Sequence, residues 1–126
     1  MESAQKQLWH ELTAMFGEEH VRFDEEEIEL HSYDVWPAAA KWKMQGKRPY
    51  QPDVVVRPLS TEQVSKLLVW ATRNHVPVTP WGMGSSVTGA PLPMKGGITL
   101  DLSLMKRVLA LDPDNLVVQV QAGKPG

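Results

Sequence analysis

A stretch rich in glycine and hydroxyl residues, at positions 77–91, is where this sequence could do chemistry. It reads PVTPWGMGSSVTGAP, and we call residues 80–91 the glycine loop. Glycine lets a backbone approach a ligand closely and adopt positive φ, so such a loop can turn several N–H groups toward one anion. Ser85, Ser86 and Thr88 add hydroxyl donors. Such a loop usually binds a pyrophosphate. The alternative is a tight surface turn that binds no ligand.

The spacing of the loop excludes two familiar phosphate-binding motifs. A dinucleotide fingerprint would need glycine or alanine where Val87 stands, and it would need a helix that Pro91 and Pro93 forbid. Gly84 and Gly89 have the separation of a P-loop. The next two residues are alanine and proline rather than the lysine and hydroxyl residue that hold phosphate and magnesium. Neither a Rossmann fold nor a nucleoside triphosphate site is therefore expected.

The loop follows a predicted strand, helix and second strand. Residues 53–58 read DVVVRP, which is typical of a short buried strand. Ser60 and Gln63 have the spacing of a capping box, and the apolar positions that follow continue one helical face as far as Asn74. Residues 76–79 form the next apolar run. We expect a right-handed crossover that places the two strands parallel.

The chain before this unit is predicted to be mostly helical. Residues 3–16 have apolar positions at helical spacing, and Gly17 stands where that helix would end. Asp24 begins a short acidic helix that runs to about His31, with its carboxylates solvated rather than bound to metal. Residues 33–52 have no steady period, and we expect them to form a long covering loop.

The chain after the glycine loop is predicted to be extended. Residues 98–101 form a further strand, and residues 102–106 form a helical turn. Residues 108–111 and 116–120 are two more extended runs, joined by the tight-turn sequence DPDN. This last part predicts a β-hairpin.

Composition limits the classes of function. The chain has 126 residues, 42% of them hydrophobic and 22% charged, which fits one globular domain without a membrane span. A formal net charge of −2 gives no broad electrostatic footprint for nucleic acid or anionic lipid, so neither is expected as a partner. The sequence has no cysteine and no leader-like start. We expect a cytoplasmic location.

The order of motifs resembles the first half of the flavin domain of the vanillyl-alcohol-oxidase (PCMH-type) flavoproteins. The likeness is greatest to the branch that contains the glycolate oxidase flavin subunit and D-lactate dehydrogenases. The matching segments are PDVVVRP at 52–58, TEQV at 61–64, VPVTP at 76–80, GMGSS at 82–86, Gly89, GGITLDLS at 96–103, Met105 and residues 116–123, with weaker similarity in HSYD at 31–34.

This resemblance implies an α+β fold, a small mixed sheet with flanking helices, and FAD as cofactor. It assigns the pyrophosphate to the first part of the glycine loop, and Thr88, Gly89 and Pro91 to the path toward the ribityl chain and ring. The residues implied in contact with the pyrophosphate are Pro80, Trp81, Gly82, Met83, Gly84, Ser85 and Ser86. Trp81 departs from the basic or small residue that relatives often have before the first glycine.

The resemblance also concerns how the flavin is held. Some relatives attach it covalently through a histidine in this loop, whereas His10, His20, His31 and His75 all lie outside it. We therefore expect non-covalent binding, no catalytic residue or metal ligand in this chain, and solvated positions for these histidines.

The extent of the likeness suggests residues 1–48 as a helical segment with a covering loop and residues 49–126 as the first half of an FAD-binding domain. The resemblance implies an FAD-dependent oxidoreductase of 2-hydroxy acids such as glycolate or D-lactate. The sequence is expected to be a truncated product, an engineered fragment or part of a split protein, and to be inactive alone. A non-catalytic remnant or interaction module with weak or no flavin binding is the alternative. Apolar surface meant for a missing subdomain predicts a homo-oligomer, or association with a second part.

Overall fold

The computed structural model describes the backbone of residues 2–126 and the side chains from position 6 onward. Met1, the first residue of the predicted helical segment, lies outside the described residues. The elements are α1 (Glu2–Phe16), β1 (Val21–Arg22), α2 (Glu25–Leu30), α3 (Pro37–Met44), β2 (Val54–Val56), α4 (Thr61–Arg73), β3 (Val78–Trp81), β4 (Ile98–Asp101), β5 (Val108–Asp112) and β6 (Val117–Val120).

A four-stranded sheet in the order β1-β2-β4-β3 organises the chain. β2 and β3 are parallel as the sequence predicts, but each pairs with β4, which lies between them. β1 pairs antiparallel with β2. All four residues of β4 are buried, which is what a central strand covered on both faces requires.

One face of the sheet is covered by α1 and α4. The side chains of a strand alternate between its two faces, and Val54, Val56, Ile98 and Leu100 all point to this side. The helices contribute Leu12, Phe16, Leu67, Trp70 and Ala71 to the same cluster. The predicted apolar helical faces are therefore the ones that are buried here.

The other face of the sheet is covered by the segment that the sequence predicts as a covering loop. That prediction is wrong in part, because Pro37–Met44 form α3. Pro37 occupies the first helical turn, where its missing N–H costs nothing, and alanines follow it. Only Ala39 of this helix is buried, and it packs with Trp81 and Leu92. Because only one residue of this helix is buried, its sequence has no apolar repeat at helical spacing.

The helix caps follow the sequence closely. The Asp24 side chain accepts from the Glu27 N–H at 3.3 Å at the start of α2. At the start of α4, the Ser60 hydroxyl accepts from the Gln63 N–H at 3.2 Å. The Gln63 side chain reaches back to the N–H of Leu59, at 2.8 Å, rather than to that of Ser60.

The chain after β4 differs in one respect from the prediction. The expected helical turn at 102–106 is a single non-helical turn, closed by the Met105 N–H bonding to the Leu102 carbonyl at 2.9 Å. The predicted hairpin is confirmed, and β5 and β6 form a separate two-stranded antiparallel sheet. All of its strand residues are exposed. Within residues 2–126, no helix is long and apolar enough to cross a bilayer.

The core provides a direct test of this packing. Leu67 is fully buried on α4, whereas the neighbouring Leu68 is 45% exposed. Leu67→Ala should lower the free energy of unfolding by about 2–5 kcal/mol because it leaves a cavity. Leu68→Ala should change it by less than about 0.5 kcal/mol. Urea denaturation of both variants measures the difference, and equal effects would contradict the packing of α4.

Candidate functional site

The carboxyl ends of three parallel strands bring distant residues into one row. Trp81 ends β3 and lies opposite Asp101 at the end of β4. Arg57 comes directly after β2, and its Nε lies 2.9 Å from Asp101 Oδ2. All three side chains point to the sheet face opposite α1 and α4. The glycine loop begins immediately after Trp81, beside this row.

The backbone of the glycine loop has donors to spare. In the described part of the chain, the N–H groups of residues 82–87 have no protein acceptor. The next N–H, of Thr88, bonds to the Ser86 hydroxyl at 3.3 Å. Unpaired amides in an exposed, glycine-containing loop are the groups that bind phosphate oxygens. The loop therefore has what an anion site needs.

The three glycines of the loop have different reasons to be glycine. Gly84 and Gly89 have φ of +67° and +78°. A Cβ at Gly84 would collide with the indole of Trp81, and one at Gly89 would lie 2.6 Å from Trp36 Cε3. A Cβ at Gly82 would meet nothing within 4 Å. Close approach by a ligand is therefore open at Gly82, whereas the other two glycines make room for tryptophans behind the loop.

The residues predicted for the site divide by exposure. Trp81 is 7% exposed and packs against Ala39 and Leu92, so its side chain is buried in the core. The exposed members are Pro80, Gly82, Met83, Ser85 and Thr88, the half-buried ones are Gly84 and Ser86, and the buried ones are Trp81, Gly89 and Pro91. The assignment of these ten residues to a cofactor remains a prediction.

The segment before position 49 is hydrogen-bonded to the middle and the later part of the glycine loop. The Val35 N–H donates to the Ser86 carbonyl at 3.0 Å. Asp34 accepts from the Gly89 N–H at 2.9 Å and from the Trp36 N–H at 3.0 Å. The sequence did not predict these bonds to the glycine loop, although the weak family similarity at 31–34 includes Asp34.

An open cleft of about 330 Å³ lies beside the loop. Met83 and Gly84 line one side, and Tyr33 and Lys43 are among the residues that line it from the preceding segment. The Lys43 ammonium is 5.4 Å from the centroid of the Tyr33 ring. Glu29 and Asp34 also line the cleft, so its charge is mixed.

His31 is not solvated, contrary to the sequence-based expectation. It is fully buried at the end of α2, with its Nδ1 2.8 Å from the Glu27 carbonyl oxygen and its Nε2 3.0 Å from Asp101 Oδ2. Arg57 also contacts both acids, and it binds the two carboxylate oxygens of Glu27 at 3.1 and 2.7 Å. We call Glu27, His31, Arg57 and Asp101 the charge network. His10 and His75 are exposed as expected.

The charge network shifts the pKa values of Asp101 and Arg57. Burial alone would raise the pKa of Asp101, but hydrogen bonds from His31 and Ser103 and the charge of Arg57 lower that pKa to about 2. For Arg57, burial opposes the charge, yet the bond to Glu27 and the charges of both acids raise its pKa. Both groups are therefore held in their ionised forms.

Comparison with known proteins identifies a matching family and related sequences. The family model of the FAD binding domain matches residues 52–126. The mitochondrial D-lactate dehydrogenase (cytochrome) of Arabidopsis thaliana is 47% identical over 72 residues, which are 57% of this chain and 13% of that protein. The glycolate oxidase subunit GlcD of Bacillus subtilis (strain 168) is 32% identical over 96 residues, 75% of this chain and 18% of that protein. The chain thus spans less than a fifth of each relative.

Solved structures share the fold. An alkyldihydroxyacetonephosphate synthase superposes with a TM-score of 0.84 and 26% identity, over 94% of this chain and 22% of that one. A substrate-bound p-cresol methylhydroxylase superposes with a TM-score of 0.81 over 98% of this chain and 23% of that one, and at 17% identity this likeness concerns the fold alone.

The charge network predicts a pH dependence of stability. The pKa of Asp101 in the folded state, about 2, lies below its ordinary value of 3.8, so the ionised carboxylate adds about 2 kcal/mol to the free energy of unfolding. That contribution is complete above the unfolded-state pKa and is lost as the pH falls toward 2. Asp101→Asn should lower the free energy of unfolding at neutral pH by at least this amount.

The difference in the free energy of unfolding between Asp101→Asn and the unmodified protein should shrink in acid, where Asp101 of the unmodified protein becomes protonated. Urea denaturation at a series of pH values measures it, with the exposed Asp114→Asn as control. A constant difference between Asp101→Asn and the unmodified protein at all pH values would contradict the role of the charge.

Proposed function

This chain belongs to the FAD binding domain family, and we propose that it is the FAD-binding portion of a flavin-dependent oxidoreductase that oxidises a 2-hydroxy acid. The α+β, PCMH-type fold expected from the sequence is confirmed, and the cofactor of the family is FAD. The names of the relatives support glycolate or D-lactate as the substrate class.

We propose that the glycine loop holds the pyrophosphate of FAD. The observation that supports this most directly is the run of unpaired amides at residues 82–87. The open space at Gly82 would let the diphosphate approach the backbone, and the exposed Ser85 would add a hydroxyl donor. Pro80 to Ser86 would contact the pyrophosphate, and Thr88, Gly89 and Pro91 would line the path toward the flavin ring.

The residues of this chain would bind and orient the cofactor rather than react. FAD, when bound, supplies the acceptor for a hydride from the hydroxy acid. Asp34 and Val35 would keep the loop amides in place through their bonds to its backbone. The absence of histidine from the loop supports non-covalent binding.

A second candidate is a binding or interaction module without catalysis. It is favoured by the small share of each relative that the matched segment represents. It also agrees with the state of His31, a candidate base whose two ring nitrogens are both engaged inside the protein. The first candidate requires that this chain bind FAD, whereas the second predicts weak or no flavin binding.

Titration with FAD separates these candidates. We expect the purified chain to retain FAD, seen as bound yellow flavin, without bleaching by glycolate or D-lactate in the absence of oxygen. Bleaching would rule out the non-catalytic candidate. No retained flavin at high protein concentration would contradict FAD binding by this chain.

A variant at Gly82 tests the loop itself. A Cβ at Gly82 would meet nothing within 4 Å, so we expect the fold to tolerate Gly82→Val while the side chain blocks the diphosphate. FAD affinity should fall at least about tenfold, a loss of ~1.4 kcal/mol. Gly126→Val is the matched control, because a Cβ at Gly126 would also meet nothing within 4 Å. Unchanged affinity in Gly82→Val would place the pyrophosphate elsewhere. The same change at Gly84 would be a poor test, because it would displace Trp81 as well.

We also propose that the chain associates with a second copy through the β5–β6 hairpin. On one face of the hairpin Leu111 lies opposite Val118, with Val120 two positions further along, and they are 71%, 54% and 39% exposed. Contiguous apolar surface of this kind marks interfaces. A cytoplasmic location is likewise kept as a proposal.

Association predicts a concentration-dependent mass. Analytical ultracentrifugation should show a dimer or larger assembly, and Leu111→Lys should shift it to the monomer because a charge would be buried at the interface. Met44→Lys, at an 89% exposed site away from the hairpin, is the control. A monomer at every concentration, or assembly unaffected by Leu111→Lys, would contradict the proposal.

A further inference from the structure

His31 is held by acceptors at both ring nitrogens. Nδ1 faces the Glu27 carbonyl oxygen at 2.8 Å, and Nε2 faces the Asp101 carboxylate at 3.0 Å. A carbonyl oxygen can only accept a hydrogen bond, and so can an ionised carboxylate. Both bonds therefore form only when each ring nitrogen carries a proton. The ring described by this geometry is the imidazolium.

Charge balance supports the same protonation state. Glu27 and Asp101 are the two acids that face the ring, from α2 and β4, and Arg57 after β2 is bonded to both of them. β3 presents Trp81, which does not titrate. Two negative and two positive charges then cancel in a site where His31 and Asp101 are 1% and 5% exposed. A neutral ring would leave a net negative charge there, which is costly in the interior.

The imidazolium touches the base of the glycine loop through one side chain. The His31 and Trp81 rings are 4.7 Å apart at their centroids, within the range of a cation–π contact. The Trp81 indole in turn fills the space where a side chain at position 84 would lie. Trp81 is also bonded through its carbonyl to the Leu102 N–H at 3.0 Å. The position of Gly84 therefore depends on where Trp81 lies.

We propose that His31 is a cationic positioning residue for the glycine loop, acting through Trp81. In the doubly protonated form it fixes the indole, and the indole fixes the backbone around Gly84. Loss of one proton removes either the bond to Glu27 or the bond to Asp101 and weakens the contact with Trp81. The loop amides should then become less ordered, and, if the proposed FAD function holds, FAD affinity should fall as the pH rises.

The first test needs no flavin. Two-dimensional NMR of the ring nitrogens follows the protonation state of His31 as the pH is raised. The amide signals of Gly82, Met83 and Gly84 should move with the same midpoint as the His31 ring. His10 and His75, which are exposed, provide internal references whose midpoints the loop should not follow. Loop amides that fail to follow His31 would overturn the proposal.

The second test uses a matched pair of variants. His31→Gln should remove the pH dependence of the loop signals and weaken FAD binding about tenfold below the His31 midpoint, a loss of ~1.4 kcal/mol. His75→Gln should retain both properties. A His31→Gln protein whose loop signals still depend on pH would refute the inference. If that variant does not fold, the pH titration of the loop amides in the unmodified protein still tests the proposal. Absence of FAD binding by the unmodified protein would defeat the proposed function alone, because the first test does not involve flavin.

Discussion

The fold depends on a cluster of four buried or nearly buried charges that are stable only together. Glu27, His31, Arg57 and Asp101 come from three different parts of the chain, and each neutralises a partner that would be costly to bury alone. The cluster ties α2 to the carboxyl ends of β2 and β4. Because the glycine loop begins at the end of β3, directly beside the end of β4, one electrostatic constraint sets the frame for the candidate site.

The segment before position 49 is part of the candidate site, because it contacts the glycine loop directly. Asp34 and Val35 bond directly to the backbone of the glycine loop, and Tyr33 and Lys43 line the cleft beside it. The boundary between residues 48 and 49 remains a prediction, and these contacts cross it. A fragment that began at position 49 would have the loop sequence without the groups that shape it.

The sequence predicted what local signals encode and missed what depends on distant partners. The start of α2 after Asp24, the cap at Ser60 and the β5–β6 hairpin follow from neighbouring residues, and they are confirmed. His31 was misjudged because its acid partner Asp101 lies 70 positions away, so no short pattern could indicate burial. The family resemblance, which the comparisons confirm, supplied FAD, which spacing alone could not identify. The insertion of β4 between β2 and β3 likewise depends on pairing beyond the range of local motifs.

The two tryptophans behind the glycine loop have a thermodynamic consequence. Trp36 and Trp81 occupy the space beneath Gly89 and Gly84, so the loop is packed from below while its amides at 82–87 face no protein acceptor in the described residues. A loop supported in this way loses its conformational freedom when the protein folds. An arriving diphosphate would find the donors already ordered, and the entropy of ordering them would not be subtracted from its binding affinity.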